Sequence, residues 1–109
     1  MALLRSKLQV QALIRRAETN GAFALVRKSG DEDAGSILVI INTLDGMGSL
    51  LGQTRDEDFN RVWEYLCQPE SKYEQIEELI TRRLSSDPDL WVVEVEDRKG
   101  RHFLVEQVL

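Results

Sequence analysis

Ser86-Asp87-Pro88-Asp89-Leu90-Trp91-Val92-Val93-Glu94-Val95-Glu96-Asp97 is the stretch on which the fold turns. Pro88 has no amide hydrogen and restricts Asp87 to extended angles, so a preceding helix must stop near Ser86. From Leu90 the side chains alternate. Trp91, Val93 and Val95 share one face, Val92, Glu94 and Glu96 the other. One face is apolar and the other turns acidic, the pattern of an antiparallel strand covered on one side. Trp91 alone can bury ~150–250 Å² and is the natural anchor. Asp97-Arg98-Lys99-Gly100 has turn chemistry, and Arg101-His102-Phe103-Leu104-Val105 reads as a return strand. A C-terminal hairpin follows, with Trp91 and Phe103 in one core.

Upstream, Tyr73, Ile76, Leu79, Ile80 and Leu84 form the apolar stripe of a helix that Ser71 and Glu74 would open as a capping box. Early Glu74, Glu77 and Glu78 and late Arg82 and Arg83 suit its dipole. Further back, Val10, Leu13, Ile14 and Ala17 mark a helix over about residues 7–20, with Ser6 and Gln9 as its capping box and Gly21 as its stop. Residues 22–27 read as a strand and 29–35 as turn material. Ile37-Leu38-Val39-Ile40-Ile41 is apolar without alternation, which marks a central strand buried on both faces. Asp45-Gly46 signals a type I′ hairpin into a strand at 47–51. Residues 59–66 fit a helix by spacing and a strand by composition, and spacing alone favours the helix.

The chain has 109 residues, one domain's worth at 1–109, and at 42% hydrophobic and 30% charged it is composed like an ordinary globular domain. Cys67 is alone, which excludes an intrachain disulfide and fits a reducing compartment. No apolar run reaches the ~18 residues of a membrane span, and Met1-Ala2-Leu3-Leu4-Arg5 does not open a signal peptide, so a cytoplasmic protein with no membrane partner is expected. The net charge of −5 argues against general affinity for nucleic acid. Its distribution is uneven. Residues 1–28 carry six basic side chains and one acidic, the remaining 81 residues eight and eighteen. Arg5, Lys7, Arg15 and Arg16 thus form a candidate basic face, which either meets the chain's own acidic surface and solvent or binds phosphates.

No catalytic, cofactor or metal motif stands out. Asp31 and Asp33 have the spacing that begins a calcium loop, but Gly35, Ser36 and Asn42 occupy positions that should ligate, turn or close it. Pro88-Asp89 with Glu94 and Glu96 shares part of a metal-nuclease pattern, yet Glu96 stands where a lysine is needed. His102 is the one histidine, and nothing near Cys67 in sequence would lower its pKa. What remains is surface. Asp31, Asp33, Asp87, Asp89, Glu94 and Glu96 form a candidate acidic interaction face, and an edge strand could pair two copies as a homodimer.

Gly-Asp-Glu-Asp-Ala-Gly at 30–35, Asp-Pro-Asp-Leu-Trp-Val-Val-Glu-Val-Glu-Asp at 87–97 and Gly-Arg-His-Phe-Leu at 100–104 resemble a family of small alphaproteobacterial proteins, the domain of unknown function 1491. Leu13–Arg16 and Gly21–Ala24 match as well, so the resemblance covers nearly the whole chain. It implies no activity, cofactor or partner. It does imply a strand at residues 59–66, and that reading replaces the helix.

The expectation is an α+β domain with a mainly antiparallel sheet, two helices packed on one face and a C-terminal hairpin. Its expected role is a non-catalytic protein-interaction module using the acidic surface. The alternatives are a divalent-metal hydrolase using Asp31, Asp33, Asp89 and Glu94, or nucleic-acid binding by the first helix.

Overall fold

The computed structural model describes residues 4–109. Helix α1 spans Ser6–Thr19, and strands β1 Phe23–Lys28, β2 Ile37–Asn42, β3 Met47–Arg55, β4 Arg61–Tyr65 and β5 Ser71–Lys72 follow; helix α2 spans Tyr73–Ser86 and strand β6 Trp91–Glu96. The strands form one sheet in the order β1-β6-β2-β3-β4, with β5 pairing the start of β3. Every pairing is antiparallel except β2 with β6, which runs parallel. The α+β architecture is as expected, β2 is central, and residues 61–65 are a strand.

Two packing expectations are corrected. The helices lie on opposite faces of the sheet. Val10, Leu13 and Ala17 of α1 pack with Ile37, Val39, Ile41, Trp91, Val93 and Val95. Ile76 and Ile80 of α2 pack with Leu38, Ile40, Leu50, Leu90 and Val92. A strand such as β2, apolar at every position from Ile37 to Ile41, needs cover on both faces, and one helix supplies each. For the same reason β6 is buried on both faces rather than open on its acidic one.

The C-terminal hairpin is absent. Both edges of β6 are taken, one by β1 and the other by β2, so no edge remains for a return strand. The tail instead crosses the α1 face, where Phe103, Leu104 and Val108 join the cluster that contains Trp91. It ends along β4: Trp63 donates its amide to Gln107 O at 2.8 Å and accepts from the Leu109 amide at 2.8 Å. The outer edge of β4 is thereby partly paired.

Neither capping box forms. The amides of Ser6 and Lys7 donate to the carbonyls of Asp33 (3.3 Å) and Glu32 (3.0 Å), so the 29–36 loop caps α1 through its backbone. The Ser6 hydroxyl is buried and donates to Gly35 O at 2.6 Å. The Ser71 hydroxyl donates to Gln68 O, and α2 begins only at Tyr73, whose amide donates to Gly46 O at 2.9 Å. At the other end of α1, Gly21 takes φ +85° and the Ala22 amide returns to Ala17 O at 3.0 Å, the expected stop. In the β2–β3 loop the positive φ angles fall on Leu44 and Gly46, not on Asp45. Asp45 accepts from the Thr43 hydroxyl at 2.6 Å and the Met47 amide at 3.1 Å.

Candidate functional site

Two of the acidic segments meet. The Asp31 amide donates to Asp89 O at 3.0 Å, and Trp91 Nε1 donates to Asp31 O at 2.7 Å. Gly30 and Gly35 permit this approach, since a Cβ on either would fall inside contact distance of the Asp89 carbonyl oxygen. The Lys28 ammonium ties the far side by donating to Pro88 O at 2.7 Å and Ser29 O at 3.1 Å. The result is one exposed ridge bearing Asp31, Glu32, Asp33 and Asp89, with Asp87 half-buried beside it.

Several of these carboxylates already have work within the fold. Asp31 accepts from the amides of Asp33 (3.2 Å) and Ala34 (2.8 Å), and Asp87 accepts from that of Asp89 (3.1 Å). The basic face of α1 leans toward the same ridge. Arg5 lies 3.4 Å from Asp33 and Lys7 3.4 Å from Glu32, both pairs well exposed and so weak. Arg16 turns to the tail, donating to Phe103 O at 2.8 Å, while Arg15 is exposed. The first helix therefore faces the chain's own acidic loop along half of its basic residues.

Glu94 is a correction. It does not lie on an open strand face; its side chain is only 5% exposed. Its Oε1 accepts from Arg27 at 2.7 Å and from the Tyr73 hydroxyl at 2.6 Å, and Oε2 accepts from Asn42 at 2.9 Å. Arg27 also forks onto Glu77 at 2.9 and 3.1 Å. This network joins β1, β2 and β6 to the start of α2, and it sets one cation, Arg27, between two carboxylates, Glu77 and Glu94. The bond to Glu77, foremost, holds Arg27 more firmly protonated than usual. Burial, then the bond to Glu94, pushes the Tyr73 hydroxyl up, and the Arg27 guanidinium holds the Glu77 carboxyl down. Glu96, one turn of the pleat further on, is half-buried.

The four carboxylates weighed for metal chemistry thus do not converge. Glu94 is engaged by Arg27, Tyr73 and Asn42, while Asp31 and Asp89 belong to the ridge. Among the described residues, no three His, Cys, Asp or Glu side chains are grouped to hold a metal ion. His102 accepts the Leu104 amide on Nδ1 at 2.9 Å, which fixes its tautomer with the proton on Nε2, and burial holds its pKa below the usual histidine value. Asp97, buried at the end of β6, takes a two-toothed grip from Arg101 at 3.0 and 3.0 Å. That bond holds its carboxyl below the ordinary range.

A pH dependence follows. Glu77 and Asp97 have folded-state pKa values below their unfolded ones, so each stabilises the fold while ionised. The contribution of these two carboxylates is expected to be level above about pH 4.5, the ordinary Glu value, and to decline as pH falls through the lowered values. Urea midpoints between neutral and strongly acid pH should show this, with a shallower acid decline in the Glu77→Gln/Asp97→Asn double variant. An equally steep decline in that variant would assign acid unfolding to other groups.

Sequence reasoning missed Arg27, Tyr73 and Glu77 as partners of Glu94. The one available signal was an acidic side chain in the middle of an otherwise apolar strand, which burial permits only with a cation or donors nearby.

The fold and these contacts define an open-sheet α+β domain whose most buried carboxylates are committed to internal bonds. The chain belongs to the family described as a protein of unknown function, DUF1491, which matches residues 4–105. A family member from Caulobacter crescentus CB15, crystallised at 1.87 Å resolution, is 41% identical with a TM-score of 0.91, over 98% of this chain and 100% of that one. An NMR structure of a Caulobacter crescentus CB15 family member gives 41% identity and a TM-score of 0.86, over 100% and 99%. Protein Atu0922 from A. tumefaciens, solved in solution, gives 35% identity and a TM-score of 0.78, over 95% and 96%. The family resemblance drawn from residues 30–35 and 87–104 is borne out. A comparison with curated proteins gives no match. No described helix is long and apolar enough to cross a membrane.

Proposed function

We propose that the chain is a non-catalytic interaction module that docks a basic partner protein on the ridge formed by Asp31, Asp33, Asp87 and Asp89, in a reducing, cytoplasmic setting. The observation that carries this reading is the 3.0 Å bond from the Asp31 amide to Asp89 O, which merges two acidic loops into one exposed surface. A ridge of one sign steers a basic partner and selects it against acidic ones. The pairs with Arg5 and Lys7 are exposed and exchangeable at little cost, so a partner's cations can displace them. Glu94 has no part in the surface, and Glu96 lies apart from it on the strand.

The test is affinity capture of the tagged protein from its native lysate beside a variant with Asn at 31, 33, 87 and 89. Asparagine keeps a side-chain oxygen to accept the loop amides, so the fold should persist while the charge is lost. A basic protein retained by the wild type and lost by the variant is the expected result. Retention by both would sink the acidic-ridge reading. A second reading is self-association through β1, the terminal strand of the sheet, whose Phe23 is 55% exposed. Recovery of an untagged copy of the chain with both baits would assign it.

A further inference from the structure

The β3–β4 hairpin carries three side chains in unusual positions. Arg55 and Arg61 stand directly opposite each other in the β3–β4 register. Like charges in that position repel. The ion pairs among the described residues involve Arg5, Lys7, Arg27 and Arg101, and neither hairpin arginine. Among the described residues each is held only by a carbonyl: Arg55 donates to Phe59 O at 2.9 Å and Arg61 to Leu4 O at 3.1 Å. A guanidinium has five N–H donors, so most of both forks remain available. Burial, and then the neighbouring Arg55 charge, lower the pKa of Arg61, against a weaker opposing pull from Glu106. Glu106 is itself bonded to Trp63 Nε1 at 3.0 Å. A recess of about 210 Å³ opens between the two arginines, Ser36 and Thr54.

The third side chain is Phe59, at the tip. The Phe59 amide returns to Asp56 O at 3.0 Å and the Asp56 amide to Asn60 O at 3.0 Å, a turn closed by a residue in the left-handed region. Phe59 occupies that position at φ +62°, where glycine is the favoured residue. It is also 79% exposed. An aromatic ring placed in water, on a backbone that disfavours it, at the tip of a hairpin whose base carries the Arg55–Arg61 pair, has the makings of a stacking platform. Asp56, Glu57 and Asp58 share that tip, so a phosphate would seat at the arginine recess and only the base would reach Phe59.

We propose that the β3–β4 hairpin binds a nucleoside monophosphate, with the phosphate between Arg55 and Arg61 and the base stacked on Phe59. Planar guanidinium forks match phosphate oxygens two at a time. Aromatic faces accept any base. The net charge of −5 disfavours a long polyanion, so the ligand is a single nucleotide rather than a duplex.

The test follows backbone amide NMR shifts of the full chain on addition of inorganic phosphate, a nucleoside monophosphate, or phosphatidic acid vesicles. Saturable shifts at residues 55–61, with the nucleotide binding at least ~5-fold tighter than inorganic phosphate, are expected. Arg55→Gln/Arg61→Gln should weaken nucleotide binding at least ~10-fold, and Arg55→Lys/Arg61→Lys less, because charge survives while the fork is lost. Phe59→Gly, which suits the local backbone, should reduce nucleotide affinity to that of inorganic phosphate. The spectra themselves show whether each variant is folded. Absence of saturable shifts overturns the proposal. Equal binding of nucleotide and inorganic phosphate, unchanged by Phe59→Gly, overturns the stacking platform and with it the nucleotide. Binding to vesicles without binding to the soluble nucleotide overturns it in favour of a lipid surface.

Discussion

Glu94→Ala is expected to destabilise the fold by about 3 kcal/mol. The carboxylate is nearly inaccessible and accepts three bonds, from Arg27, Tyr73 and Asn42. Its removal leaves the Tyr73 hydroxyl proton and the Asn42 amide, both half-buried, without their acceptor, at roughly 1–3 kcal/mol for each unsatisfied donor, although the Tyr73 hydroxyl still accepts from Arg27 at 3.0 Å. Arg27 keeps its fork onto Glu77, which limits the loss. Glu94→Gln retains the shape and one accepting oxygen and should cost less. Tyr73→Phe should cost less in the Glu94→Ala background than in the wild type, because its bond to Glu94 is already gone and only the one accepted from Arg27 at 3.0 Å remains to lose. Urea unfolding of these proteins checks this. A cost below about 1 kcal/mol for Glu94→Ala, or strict additivity with Tyr73→Phe, would show that the network does not hold α2 to the sheet.

Gly30→Ala carries a comparable penalty for a different reason. A Cβ at residue 30 would lie 2.6 Å from the Leu90 carbonyl carbon and 2.8 Å from that of Asp89. Both are backbone atoms at the entry to β6 and cannot swing aside as a side chain would. Relief requires separating the 29–36 loop from residues 87–90, which breaks the Asp31–Asp89 bond and the Trp91 indole bond to Asp31 O. Overpacking of this kind costs about 1–3 kcal/mol before the lost bonds are counted. Gly21→Ala is the useful contrast. Gly21 sits at φ +85° with nothing within 4 Å of a new Cβ, so only the backbone preference, roughly 1 kcal/mol, is lost. Thermal unfolding should rank Gly30→Ala well below Gly21→Ala in stability; the reverse order would refute the steric account.

What the sequence makes legible follows from how local the determining contacts are. The unbroken apolar run at Ile37–Ile41 marks the centre of the sheet because burial on both faces leaves no polar alternation to see. The same run required a helix on each face, an implication that the one-face arrangement overlooked. The stop at Gly21 is readable because every bond that makes it lies within residues 16–22. Ser6 is misread as a cap because the groups that cap α1 are carbonyls of residues 32 and 33, which any sequence could offer. Glu94 is misread as solvent-facing because its partners Arg27 and Tyr73 are 67 and 21 residues away. The C-terminal hairpin fails for a topological reason: residues 101–105 have a strand's composition, but β6 has no free edge. The closeness of the Asp31 and Asp89 loops is likewise invisible until the two glycines are seen to be pressed against backbone. Of the acidic surface, the loop aspartates are legible in the spacing of Asp31 and Asp33 and in the turn at Asp87-Pro88-Asp89; the hairpin arginines are not, since Arg55 and Arg61 become a pair only in register.

The place of β6 has a kinetic consequence. It is the last of the six strands to be synthesised, yet it lies second in the sheet, between β1 and β2. Until it arrives, β1 has no partner and one side of β2 is an open, wholly apolar template. The sheet therefore closes through pairings between distant parts of the chain, the kind that folds slowly and leaves adhesive edges exposed meanwhile. While the nascent chain is still short of residue 91, the slot between β1 and β2 presents two unpaired strand edges, which an extended apolar peptide could occupy until the chain's own β6 fills it.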